Sequence, residues 1–180
     1  MNNNSFRVAF CGLITAFALA LMFATGLIPV GTYAFPCFAG MLLVAVVIEF
    51  GARWALAAFA AVSLLSFFLS GDKEAVVYFI AFFGFYPILK SAIERLKSKV
   101  LQYVIKYAVF TACIVAAFFV CKFVLMIPDE EFTLFGVYLP WVFLAGAEAF
   151  FFLYDLCVSL VVRDYVLKIR GKIFKGKNNF

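Results

Sequence analysis

The stretch VAFCGLITAFALALMFATGLIPV, residues 8–30, carries no charged side chain. It exceeds the roughly 20 apolar residues that one helix needs to cross a bilayer. Further apolar segments lie at 34–50, 52–70, 75–91, 100–126 and 133–162. The second and fourth spans are short enough that irregular backbone is expected in them. Breakers separate the segments: Pro29 to Pro36, Gly51, Gly71 with Asp72, the basic stretch 90–99, and 128–131. Nothing in these joints could build a separate soluble domain.

Composition agrees with this pattern. The chain of 180 residues is 67% hydrophobic and 14% charged, against roughly 45–50% apolar and 25% charged in soluble domains. A bilayer accepts apolar side chains on the outside of a bundle as well as inside it; water does not. The expected fold is therefore all-α, a polytopic membrane helix bundle of about six transmembrane helices, spanning 1–162 and followed by a basic tail at 163–180. The first apolar run is longer than the 7–15 residues of a signal-peptide core, and no small-residue cleavage site ends it cleanly, so its retention is expected.

Positive residues favour the cytoplasmic side. Alternate loops gather Arg7, Arg53, Lys90, Arg95, Lys97, Lys99 and the tail residues Arg163, Lys168, Arg170, Lys172, Lys175 and Lys177, whereas the opposite loops hold Lys73 alone. Both termini are therefore expected in the cytoplasm, with Asp72, Glu74, Asp129, Glu130 and Glu131 outside and the chain in the cell membrane. The net charge of +5 is explained by this asymmetry and by attraction to anionic lipid head groups, without nucleic acid. Tyr33, Trp54, Tyr138 and Trp141 lie near span ends, as interfacial anchors do.

No catalytic constellation is present. The chain has no histidine and no CxxC pair, which leaves no zinc set, and its five cysteines (Cys11, Cys37, Cys113, Cys121, Cys157) read as small packing residues. No GxSxG motif and no clustered carboxylate pair within one span supplies a nucleophile or base, and no cofactor is expected. No phosphate-binding GxxxxGK[ST] loop is present either, so active transport would need an ATPase on another chain.

In the first span, Gly12, Ala16, Ala20 and Ala24 recur every four residues and form one smooth stripe. It serves either another helix of the same bundle or a separate docking protein. Within the spans, Glu148 stands among Ala145, Gly146, Ala147 and Ala149, and must be neutral, paired or turned to a polar cavity. It makes either a structural hydrogen bond to another helix or a ligand contact. Asp155 and Lys106 sit at depths where an ion pair could form. Lys122 snorkels outward, pairs with Glu130 or holds an anionic substrate. Glu49 and Arg53, four apart around Gly51, are expected to pair locally. Pro87 inside GFYPILK (84–90) should kink or end its helix.

The stripe Ala16, Ala20, Ala24, with six short-looped helices in about 180 residues, resembles the substrate-binding S components of energy-coupling-factor transporters. The loop IPVG at 28–31 and the passage EFGARW at 49–54 are similar to that family's helix, glycine-containing turn, helix arrangement. The resemblance spans the chain and implies that Ala16, Ala20 and Ala24 dock on a membrane T component linked to ATPase subunits, that a small nutrient binds outside, and that loops near 29–36, 70–74 and 128–133 roof the pocket. Gly12 extends the docking stripe, and Tyr33, Lys122 and Glu148 are the candidate substrate contacts. A non-transporting scaffold of a cell-elongation assembly is the alternative. It predicts a protein partner but no pocket.

Overall fold

The computed structural model describes residues 3–28, 31–126, 133–134, 137–138 and 140–170. Among the described residues, seven α-helices make six traverses of the bundle: α1 (Asn3–Ala24), α2 (Ala34–Phe50), α3 (Ala52–Leu69), the broken pair α4 (Lys73–Tyr78) and α5 (Tyr86–Ile93), α6 (Lys99–Phe123) and α7 (Pro140–Asp164). Between α6 and α7, Thr133–Leu134 (β1) pairs antiparallel with Val137–Tyr138 (β2). Among the described residues, five stretches are long and apolar enough to cross a membrane: Asn4–Ala24, Ala52–Leu69, Lys73–Ile93, Lys99–Phe123 and Leu144–Lys168. Helix α2, at 17 residues, would rise about 26 Å, close to the bilayer core's roughly 30 Å.

Large apolar side chains cover the outside, among them Leu64, Phe68, Val100, Phe123 and Leu153. Water would penalise such a surface and hydrocarbon does not. The chain is a multi-pass helical membrane protein.

The uniformly apolar α2 sits in the middle and packs against α1, α3, α5 and α7. On one side, Ala18 and Met22 of α1, Leu43 of α2, and Ala58 and Val62 of α3 close a core. On the other, an aromatic core joins Phe82, Phe83 and Tyr86 to Phe110 of α6 and to Phe151 and Tyr154 of α7. Phe110 and Phe151 stack at 4.5 Å between ring centroids.

Proline chemistry explains the break in the fourth traverse. Residues Phe79–Phe83 form a π-helical turn, closed by Gly84 N–H donating to Phe79 O at 2.8 Å. Pro87 has no N–H, so Phe83 O loses its usual helical donor. Tyr154 Oη of α7 donates to it instead, at 3.4 Å. Gly40 of α2 lies against the same carbonyl: a Cβ at position 40 would come within 2.2 Å of Phe83 O. The expected irregularity thus holds for the fourth traverse, while α2 is a regular helix.

Gly51, at φ 82°, ends α2 with its N–H on Val47 O and starts α3; only glycine adopts this conformation without strain. The helical axis therefore does not continue from Glu49 to Arg53. The expected local pair is replaced: Glu49 Oε1 lies 3.2 Å from Arg170 Nε, within ion-pair range though out of line for a hydrogen bond, and Arg53 points to the surface. Arg163 and Lys168, expected in a tail, belong to α7 and the π-turn Tyr165–Ile169 that follows it. Positions 171–180 lie outside the described residues.

Candidate functional site: two polar clusters and an outward small-residue face

The first cluster lies at one end of the fourth traverse, where α5, α6 and α7 meet. Pro87 starts α5 so that Tyr86, Lys90 and Ile93 face inward. Lys90 ion-pairs with Asp155 Oδ1, donates to Ser159 Oγ at 2.9 Å and lies 2.9 Å from Glu94 Oε1. Lys106 reaches Glu94 Oε1 at 2.9 Å and the two Asp155 oxygens at 3.1 and 3.3 Å. Tyr86 Oη also donates to Asp155 Oδ1. The lysine side chains are only 3% and 5% exposed. Two cations thus face two anions, and each buried charge has a partner, as burial requires.

The Lys106–Asp155 pair was expected from the sequence; the recruitment of Lys90 was not. Lys90 sits in a basic stretch that otherwise reads as a cytoplasmic loop. Its signal was the spacing Tyr86, Lys90, Glu94, which puts all three on one helical face. Burial pushes the Glu94 carboxyl up, but the hydrogen bonds and charges of Lys90 and Lys106 outweigh it and hold the group below its ordinary value. Beside the cluster, Val44, Val47, Ile48, Pro87, Lys90, Ser91, Glu94, Val158 and Val162 line a half-open cleft of about 100 Å³.

The second cluster lies at the other end of the same broken helix, about 24 Å along the axis from Glu74 to Lys90. Tyr33 Oη donates to Glu74 Oε1 at 3.1 Å and Tyr78 Oη donates to the same oxygen at 2.9 Å. The two rings stand 5.2 Å apart at 43°. Asp72 fixes the start of α4 by accepting from Ala75 N–H at 2.9 Å. Lys73 is committed elsewhere: its ammonium donates to Phe67 O and Ser70 O at 2.6 and 2.9 Å, closing the end of α3. Ser70 Oγ, in turn, bonds Met22 O and Thr25 Oγ1 at the end of α1.

The remaining expected site residues are spread out. Glu148 is bonded by Thr111 Oγ1 across the α6–α7 contact, which realises the structural alternative, and its Oε2 is buried without a partner among the described residues. Thr111 Oγ1 is also 2.9 Å from Tyr107 O, so its one proton has two competing acceptors. Lys122 lies near the end of α6, about 16 Å of helical rise from Thr111, so it and Glu148 do not share a site. Glu130, its expected partner, and Asp129, Glu131, Pro29 and Pro128 lie outside the described residues, as do the side chains of Tyr138 and Trp141. Most of the expected pocket roof falls there too. Glu74 was expected only as part of the 70–74 pocket roof; its bond to Tyr78, four residues on in α4, was readable from the spacing, whereas the bond from Tyr33, in the turn before α2, was not.

The stripe on α1 faces away from the bundle. Cys11, Ala18, Met22 and Thr25 are buried against the neighbours, while Gly12, Ala16 and Ala20 are exposed and Ala24 is half-buried. At 100° per residue the stripe lies roughly opposite the buried face. A Cβ at Gly12 would meet nothing within 4 Å. Among the described residues no other helix of this bundle covers Gly12, Ala16 and Ala20. No protein-family model matches the chain, and no curated protein or solved structure matches it significantly.

Proposed function

We propose that the chain is the membrane substrate-binding subunit of an energy-coupling-factor type transporter. It would capture a small nutrient outside the cell membrane and dock on an ATPase-driven module through α1. Its termini and the Lys90–Asp155 cluster then lie on the cytoplasmic side, where the Lys and Arg residues gather.

The observation that carries this reading is the outward orientation of Gly12, Ala16 and Ala20. Bundle packing does not require these residues to be small, because nothing in the described chain covers them. Small side chains on an exposed helical face permit close backbone approach by another transmembrane helix. The absence of a phosphate-binding loop supports the same division of labour, with ATP hydrolysis on a different chain.

The test is affinity purification of the full chain from its native membranes, wild type against Ala16→Leu and Ala20→Leu. Because both positions face outward, the variants should keep the wild-type unfolding midpoint. Wild type should bring ATPase subunits with it, and the variants should lose them. Equal co-purification by all three proteins, or a wild-type chain accompanied by cell-wall assembly proteins instead, overturns the proposal.

A further inference from the structure

We propose that Tyr33, Glu74 and Tyr78 form a recognition site for an organic cation, so that the captured nutrient bears an ammonium-type group; this rests on the transporter reading above.

The charge of the site favours a cation. Glu74 is the carboxylate at the centre of the cluster, and among the described residues no cation ion-pairs with it. Lys73, its neighbour in sequence, is held by the Phe67 and Ser70 carbonyls. The site therefore carries an unbalanced negative charge, which attracts cations and repels anions.

The shape of the site favours one too. Both phenols bond the same oxygen, Oε1, which fixes the carboxylate, and no described residue bonds Oε2. The rings, 5.2 Å apart and tilted at 43°, pack on each other with their hydroxyl ends on the carboxylate, and the exposed Tyr33 ring offers a π-face beside it. Ring faces attract ammonium groups through their quadrupole, most strongly where water is partly excluded. Carboxylate and rings together select a cation with an apolar surface over a hydrated inorganic one.

The site is accessible: Tyr33 is 54% exposed, and the cluster sits at the head of α4, on the side where loops and no basic residues other than Lys73 were expected. The inner cluster also borders a cleft, but its charges already satisfy one another.

The test uses the full chain in nanodiscs of neutral lipid. Its unfolding midpoint is followed by tryptophan fluorescence while tetramethylammonium chloride is titrated against sodium chloride and sodium acetate at matched ionic strength. Tetramethylammonium alone should raise the midpoint saturably, and Glu74→Gln should abolish the rise. Tyr33→Ala, whose ligand-free unfolding midpoint is measured alongside, should raise the half-saturating concentration about three- to tenfold. The proposal is overturned if tetramethylammonium does no more than sodium chloride, if acetate stabilises equally, if Glu74→Gln keeps the response, or if Tyr33→Ala leaves half-saturation unchanged. Docking is read separately by co-purification. A chain that docks but ignores the cation sinks only the substrate class, whereas one that binds the cation but does not dock keeps this site and sinks the transporter reading.

Discussion

The two ends of the fourth traverse solve opposite electrostatic problems. At one end, Lys90 and Lys106 meet Glu94 and Asp155, so the charges cancel inside the bundle. At the other, Glu74 is held by two phenols and no described cation. A balanced cluster is closed, because every donor has an acceptor and a ligand would have to break bonds to enter. An unbalanced one is open, because it still has attraction to offer. The contrast separates a clamp from a binding site without reference to any relative.

The sharpest way to break the comparison is to unbalance the clamp. Asp155→Asn would leave Lys90 and Lys106 facing Glu94 alone. Removing one partner from a buried ion cluster costs about 3–5 kcal/mol, because the remaining charge stays desolvated. A denaturant titration in detergent should show a loss of that size, or no folded protein at all. Adding Lys106→Met to Asp155→Asn should recover part of it. A wild-type midpoint for Asp155→Asn would mean that the cluster is solvated and no clamp.

How much of this was legible depends on whether a contact lies along one helix or between several. The spans follow from length and apolarity, and Pro87 announced the break that becomes the π-turn Phe79–Phe83. The Lys106–Asp155 pair was readable because two opposite charges in apolar segments have few other ways to be satisfied. Lys90 hid among surface lysines, since sequence does not show which side of α5 is buried. The Glu49–Arg53 expectation failed at a particular atom: Gly51 at φ 82° turns the chain out of the helix, and the four-residue spacing loses its meaning. The outward direction of the α1 stripe needed the positions of α2 and α3, which no local pattern encodes.

Between the two clusters, the backbone contact at Gly40 keeps the broken helix in place. Gly40→Ala would drive a Cβ to within 2.2 Å of Phe83 O, a carbonyl that cannot rotate away as a side chain would. Overpacking of this kind costs about 1–3 kcal/mol. It should lower the unfolding midpoint and, by displacing Phe83, weaken the Tyr154 bond as well. If Gly40→Ala retains wild-type stability, the traverse can slide, and the two clusters are less rigidly linked than the contact implies.

Acid should distinguish the ends as well. The folded chain holds Glu94 below its ordinary value of 4.5, so the unfolded state binds the proton more readily. Glu94 then contributes stability that is fully present above about pH 4.5 and is lost as pH falls through its lower folded value. The carboxylate is 43% exposed, so solvent screening makes the effect modest. Unfolding midpoints of wild type should fall on acidification below pH 4.5, and Glu94→Gln should flatten part of that slope. Identical slopes for the two proteins would remove Glu94 from the clamp.

The smallest expected effect is the most informative about the outer end. In Glu74→Gln the amide oxygen can still accept from Tyr33 and Tyr78, and no partner cation among the described residues is left stranded. The stability change should stay within about 0.5 kcal/mol, as for surface substitutions away from a paired charge. The same loss of one negative charge would thus be severe at Asp155 and nearly silent at Glu74. A group that can be removed without harm to the fold is not there to hold the fold together, which is what a binding residue requires. A loss of several kcal/mol in Glu74→Gln would instead make the outer cluster a second clamp and erase the distinction between the two ends.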